Sequence, residues 1–117
     1  MDALELGRRG EDLAADFLVR HGMTVLSRTW RCRYGELDLV ATENRRLVVC
    51  EVKTRSGNGY GHPAEALDRR KIGRIRHLTH CWLAEHRIGW CEVRFDVLSV
   101  HYPPGGEAWI EHLTGAF

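Results

Sequence analysis

Gly35-Glu36-Leu37-Asp38-Leu39-Val40 and, after a polar break, Leu47-Val48-Val49-Cys50-Glu51-Val52-Lys53 are the stretches that decide how this chain is read. Both are short apolar runs, the second rich in valine, and Thr42-Glu43-Asn44-Arg45-Arg46 between them reads as a hairpin loop. The second run is apolar almost without interruption. That predicts burial on both faces and a central place in a sheet. Yet charge sits at the working end of each: Asp38 in the first run, Glu51 and Lys53 in the second. Alternate strand residues share a face, so Glu51 and Lys53 lie together. Unpaired charge in so apolar a setting is costly.

Working outward, Ala3 to His21 predicts a helix with Leu6, Leu13, Ala14, Phe17 and Leu18 on one face. Gly22 is its stop signal. Gly7 and Gly10 weaken that helix and suit close backbone approach. Glu11 borders the apolar stripe, from which it can reach toward the sheet. Met23 to Trp30 reads as a strand, Arg31 to Gly35 as a turn, and Thr54 to His62 as a glycine-rich loop. Its spacing fits neither a Walker loop nor a dinucleotide fingerprint. Pro63 is placed to open a long helix to His86, with Ile72, Ile75, Thr79, Trp82 and Leu83 inward. Cys91 to Val100 and Ala108 to Leu113 read as strands. The predicted order is α-β-β-β-α-β-(β), an α/β fold in one domain spanning 1–117.

Composition is that of an ordinary globular chain, 44% hydrophobic and 28% charged. No apolar stretch approaches the ~20 residues of a membrane span. The N-terminus is acidic and lacks a signal-peptide pattern, so a cytoplasmic location without membrane partners is expected. Cysteines 32, 50, 81 and 91 form no CxxC pair and are read as reduced thiols, Cys50 as a buried one. His77, His80 and Cys81 fall on one helix with Cys91 close behind, but without finger-like zinc spacing. The other histidines (21, 62, 86, 101 and 112) are read as cap, loop or surface residues. The tryptophans at 30, 82, 90 and 109 are read as packing.

Net charge is only +1, but the cations cluster. Arg69, Arg70, Lys71, Arg74 and Arg76 run without an intervening acid, and Arg55 is among the arginines around the motif strands. Such blocks can track phosphates. Fifteen of the cations are Arg and two are Lys, and position 53 is one of the two. Lys is a compact donor with a shiftable pKa, where Arg stays protonated and forked.

Asp38 and Glu51 on neighbouring strands, with the Val52 backbone carbonyl, are hard oxygen donors of the kind Mg²⁺ takes, with Mn²⁺ as a substitute. Such an ion polarises a phosphoryl oxygen and acidifies water. Lys53 is then placed to orient that water and to stabilise charge on the phosphate. Glu36, two residues before Asp38, shares its strand face.

Together these segments resemble the PD-(D/E)XK nuclease superfamily, and more narrowly the YraN-type family of predicted endonucleases, similar to Holliday-junction resolvases. The resemblance runs from Gly7 to Val100. It rests on Gly7-x-x-Gly10-Glu11-x-x-Ala14, Arg31-Cys32-Arg33-x-Gly35-Glu36-Leu37-Asp38-Leu39-Val40 and Val49-Cys50-Glu51-Val52-Lys53-Thr54-Arg55. Lys71 and Arg94-Phe95-Asp96-Val97 extend it. It implies a restriction-endonuclease-like αβββαβ core, a mixed central sheet flanked by helices. It also implies a Mg²⁺-dependent endonuclease acting on DNA, with branched or structured DNA as substrate and a homodimer as an available assembly. Asp38 and Glu51 fall on its metal ligands, Lys53 on its catalytic lysine and Glu11 on a first-helix carboxylate. Lys71 falls on a basic helical position, and Arg70, Lys71, Arg74 and Arg55 are the expected phosphate contacts. Leu37 stands where the motif's proline falls. The alternative is a catalytically silent nuclease-fold module that binds nucleic acid or a protein.

Overall fold

The computed structural model describes residues 1–57 and 67–117. The chain forms α1 (Ala3–Arg20), β1 (Thr24–Cys32), β2 (Gly35–Glu43), β3 (Arg46–Arg55), α2 (Arg69–Glu85), β4 (Val93–His101) and β5 (Trp109–Leu113). The strands make one mixed sheet in the order β1-β2-β3-β4-β5. Only β3 and β4 are parallel, and α2 lies in the connection that such a pair requires. On one face α1 packs Ala14, Ala15 and Leu18 against Leu39, Ala41, Val48, Cys50, Leu98 and Val100. On the other, Ile75, Leu78 and Trp82 of α2 meet Leu37, Val40, Leu47 and Val49. β3 is central with helices over both faces, which is why Leu47 through Cys50 are all buried. Among the described residues, no helix is long and apolar enough to cross a membrane.

α1 begins at Asp2, whose carboxylate accepts the Glu5 N–H at 2.8 Å. Of its two glycines only Gly10 serves close approach, since a Cβ there would run into the Thr54 side chain of β3, while Gly7 faces open space. α2 starts at Arg69, later than the expected Pro63. Asp68 is extended and its carboxylate accepts the Lys71 N–H at 2.8 Å, so the helix is capped there. The glycines at 59 and 61, His62 and Pro63 lie in 58–66, outside the described residues. Leu78 joins the inward stripe of α2, and Ile72 is only half-buried.

The β2–β3 hairpin is tighter than expected. Asn44 and Arg45 both adopt positive φ (51° and 68°), so Thr42, Glu43 and Arg46 stay in the ladder. Trp82 is buried with its indole N–H donating to Ser27 Oγ at 3.0 Å. Trp90 does not pack as expected: it is 95% exposed in the turn after α2, beyond the reach of either helix–sheet layer. All four cysteines are unpaired, and Cys50 is buried.

Candidate active site

The sheet forks where the charged residues sit. β2 and β3 pair from Glu43↔Arg46 to Leu39↔Cys50 and then part. β2 runs on to Gly35 beside β1, while β3 runs on to Arg55 beside β4. Asp38 and Glu51 are the first residues past the last pair, so they face each other across the opening. A backbone N–H freed by the fork needs a partner. The Val52 N–H takes the Asp38 carboxylate, donating to Oδ2 at 2.8 Å. Asp38 thus stands in for a strand carbonyl and is fixed in place by it.

β1 and β2 also turn over at this point. In a regular strand Arg28 and Trp30 share a face. Here Arg28 reaches Glu11 and Asp12 of α1, whereas Trp30 packs on the α2 side and donates to Glu85 Oε2 at 2.7 Å. Leu39 likewise packs on the α1 side and Leu37 on the α2 side. The residue between Arg28 and Trp30 is Thr29, flanked by the pairs Arg28↔Leu39 and Trp30↔Leu37 and at φ +45°. A β-branched residue in the left-handed region is strained, and the strain rotates the ribbon. The Thr29 hydroxyl donates to Glu11 Oε1 at 2.6 Å and so ties the turnover to α1.

Asp38 therefore lines cavities on both sides of the fork. One, of about 460 Å³, is bounded by Glu11, Thr29, Arg31, Glu36, Val52 and Lys53, with the first turns of α1. The other, of about 260 Å³, is bounded by Tyr34, Glu36, Glu51, Lys71 and Arg74. On the α2 side two ammonium groups converge on one carboxylate oxygen. Glu51 Oε1 lies 2.8 Å from Lys71 Nζ and 3.5 Å from Lys53 Nζ. The only two lysines in the chain therefore both meet Glu51.

Burial, and then the neighbouring Glu51 charge, push the Asp38 carboxyl up to about 7, against the lowering effect of the Val52 N–H. Glu11 and Glu36 add to the upward push. Lys53 is lowered, first by burial and then by the adjacent Lys71. Burial opposes the Lys71 ammonium too, but hydrogen bonding led by Glu51 leaves it raised. The site is thus an acid pair in a half-buried fork, offset by two amines.

The remaining expected residues are distributed less evenly. Glu11 lines the larger cavity, but its carboxylate is held by Thr29 and lies 3.6 Å from Arg28. Among the described residues, no three His, Cys, Asp or Glu side chains gather tightly enough to hold a metal by themselves. Any such site here is a two-carboxylate one, completed by main-chain oxygen, substrate and water. Glu36 pairs with Arg31 at 2.8 Å at the rim. Arg74 lines the smaller cavity, Arg55 ends β3 beside a small cleft with Lys53, and Arg70 is exposed on the first turn of α2. That turn carries Arg69, Arg70 and Lys71 and no acid, opposite to what the helix dipole favours. His77 approaches Cys81 at 3.8 Å, without a third such ligand among the described residues.

Two features escaped the sequence reading. Thr29 carries no chemical signature, and only its turnover reveals it. Asp96 and His112, the latter read as a cap, loop or surface residue, form a network around a buried carboxylate instead. Asp96 is fully buried, takes both Nε and Nη2 of Arg94 at 2.8 Å, and lies 2.7 Å from His112 Nε2. The Gly115 N–H completes it at 3.0 Å. Strand alternation puts Asp96 on the face of Leu98 and Val100, beneath α1, and Phe17 meets the His112 ring edge-on.

Residues 10–100 match the family described as "Uncharacterised protein family UPF0102". A UPF0102 protein of Frankia casuarinae is 55% identical over 112 residues, covering 96% of this chain and 95% of its own length. One from Nocardia farcinica is 50% identical over 116 residues, covering 99% and 91%. One from Acidothermus cellulolyticus is 48% identical over 122 residues, covering 96% and 92%. With the profile matched over most of its length and relatives this similar end to end, the chain belongs to the UPF0102 family.

Proposed function

We propose that the forked site is that of a divalent-metal-dependent DNA endonuclease with a PD-(D/E)XK core, acting on branched or structured DNA. The observation that carries this reading is the convergence at one sheet fork of Asp38, Glu51 and Lys53. A carboxyl whose ionisation is opposed by burial and by a neighbouring carboxylate is part of a donor set that a hard divalent cation would relieve. Asp38 and Glu51 would hold Mg²⁺ or Mn²⁺, with the Val52 carbonyl as a third oxygen and Glu11 at the periphery. When bound, the ion supplies polarisation of the phosphoryl oxygen and a more acidic water. Lys53, on the same strand face as Glu51, orients the attacking water and offsets charge on the phosphate in the transition state. Arg70, Lys71, Arg74 and Arg55 contact flanking phosphates. Supporting this are the acid-free first turn of α2, and the presence of Lys71 and Arg74 in the cavity that Asp38 and Glu51 share.

The test is a cleavage panel of four-way, nicked, flapped and linear DNA with Mg²⁺ and Mn²⁺ titrations, run on the wild type and Glu51→Ala. The expected result is metal-dependent cutting of at least one structured substrate, abolished in Glu51→Ala. Identical behaviour of the two proteins on every substrate overturns the catalytic reading and favours a silent binding module.

A further inference from the structure

We propose that Lys71 is an internal counter-cation of this site. Its ammonium holds Glu51 until a divalent cation takes that carboxylate over, and it is then released toward the substrate phosphate. This inference rests on the metal-dependent reading above and adds a control to it: metal and lysine compete for one group.

Crowding of like charge at one carboxylate oxygen makes the argument. Lys53 and Lys71 bring two ammoniums to one oxygen, Glu51 Oε1, at 3.5 and 2.8 Å. A divalent cation that takes this oxygen stands beside two ammoniums in a half-buried cavity, where charge interactions are strong. One ammonium must therefore yield. Lys53 is fixed on the same strand as Glu51, two residues away. Lys71 arrives from a different element on a flexible stem, and it stands beside Arg69 and Arg70 in a helix turn whose dipole disfavours cations. Glu51 is what makes its position favourable, so Lys71 is the group that loses its partner. Once released it remains in the cavity lined by Arg74 and Tyr34, where an anion would be the natural replacement. Metal-free protein is then held in a neutralised state, and the phosphate-binding amine becomes available only after the metal has entered.

A chain with two lysines allows a direct test. Full-length protein carrying ¹³Cε/¹⁵Nζ-labelled lysine gives two side-chain signals, assigned with Lys53→Arg, and Mg²⁺ is titrated in without DNA. The expected result is that Mg²⁺ moves the Lys71 signal more than that of Lys53. Lys71→Met should bind Mg²⁺ about tenfold more tightly than wild type, since a competing charge has gone. Lys71→Arg, which keeps the charge, should stay near wild type. A purely structural tie between α2 and β3 predicts a lower Tm for Lys71→Met with unchanged or weaker Mg²⁺ binding, and that result overturns the proposal. A Lys71 signal unmoved at saturating Mg²⁺ overturns it as well, and that measurement does not depend on how the variant folds. Wild type that binds neither Mg²⁺ nor Mn²⁺ at millimolar concentrations overturns the metal-dependent reading itself, and this inference with it.

Discussion

Two aspartates, Asp96 fully buried and Asp38 half-buried, have surroundings that push them in opposite directions. Burial raises the cost of charge at Asp96, but His112, Arg94 and the Gly115 N–H outweigh it and hold the carboxyl down at about 2. Asp38 is also driven up by burial, yet it faces Glu51 and has one lowering contact, from Val52, so it rises to about 7. One carboxylate is satisfied by its neighbours and the other is opposed by them. A satisfied buried charge ties elements together. An opposed one is held at a cost to the fold, the usual condition of groups kept for binding or chemistry. Asp96 joins β4, β5 and the C-terminal residues, whereas Asp38 sits at the open fork of β2 and β3.

The largest effect expected from breaking this contrast is at the satisfied end. Asp96→Ala removes the buried carboxylate that joins the half-buried Arg94 and His112, leaving Arg94 only its 3.5 Å contact with Glu43, and should cost about 3 kcal/mol of stability, read as a lowered midpoint in urea. A loss under 1 kcal/mol would mean the network is incidental. Next comes Lys53→Ala. It should slow cleavage by about 10²–10³-fold while DNA affinity stays near wild type, as measured by single-turnover kinetics beside anisotropy. Unchanged cleavage removes the assigned role of Lys53.

Asp38→Asn should move the other way from Asp96→Ala. It relieves repulsion with Glu51 and should stabilise the fold by about 1–2 kcal/mol while abolishing cleavage. A destabilised variant would show that the Asp38–Val52 hydrogen bond outweighs the repulsion. The smallest effect is the pH profile. An unfolded Asp ionises near pH ~4. Between there and about pH 7 the native state holds a proton on Asp38 that the unfolded chain has lost, so stability falls as pH rises through that window. For Asp96 the sign is opposite. Its contribution is full above pH ~4 and is lost as pH falls toward about 2. Asp38→Asn should flatten the upper slope and leave the acid limb in place, measured by thermal melts across pH.

Much of the scaffold was legible along the chain. Local patterning found each helix and strand among the described residues, because a continuous apolar run marks a central strand and a 3.6 period marks each helix. It also found Glu51 and Lys53 on one face, a consequence of strand alternation alone. It extended α2 back to Pro63, because Pro suits a first turn, and did not see that Asp68 caps the helix at Arg69. It did not reveal that Lys71 meets Glu51, since nothing local ties residue 71 to residue 51. It left His112 as a cap, loop or surface residue, because its partner Asp96 is on a neighbouring strand, sixteen residues away.

By itself the sequence determined the element order, the central place of β3 and the residue types able to do chemistry, since these follow from local periodicity and side-chain character. Tertiary structure decided the rest: the parting of β2 from β3, the turnover at Thr29, and the meeting of both lysines at Glu51. Each depends on which strands pair and how far, a matter of long-range backbone hydrogen bonding and twist. The electrostatic character of the two aspartates follows from those pairings, because a carboxylate's pKa is set by what the fold brings against it.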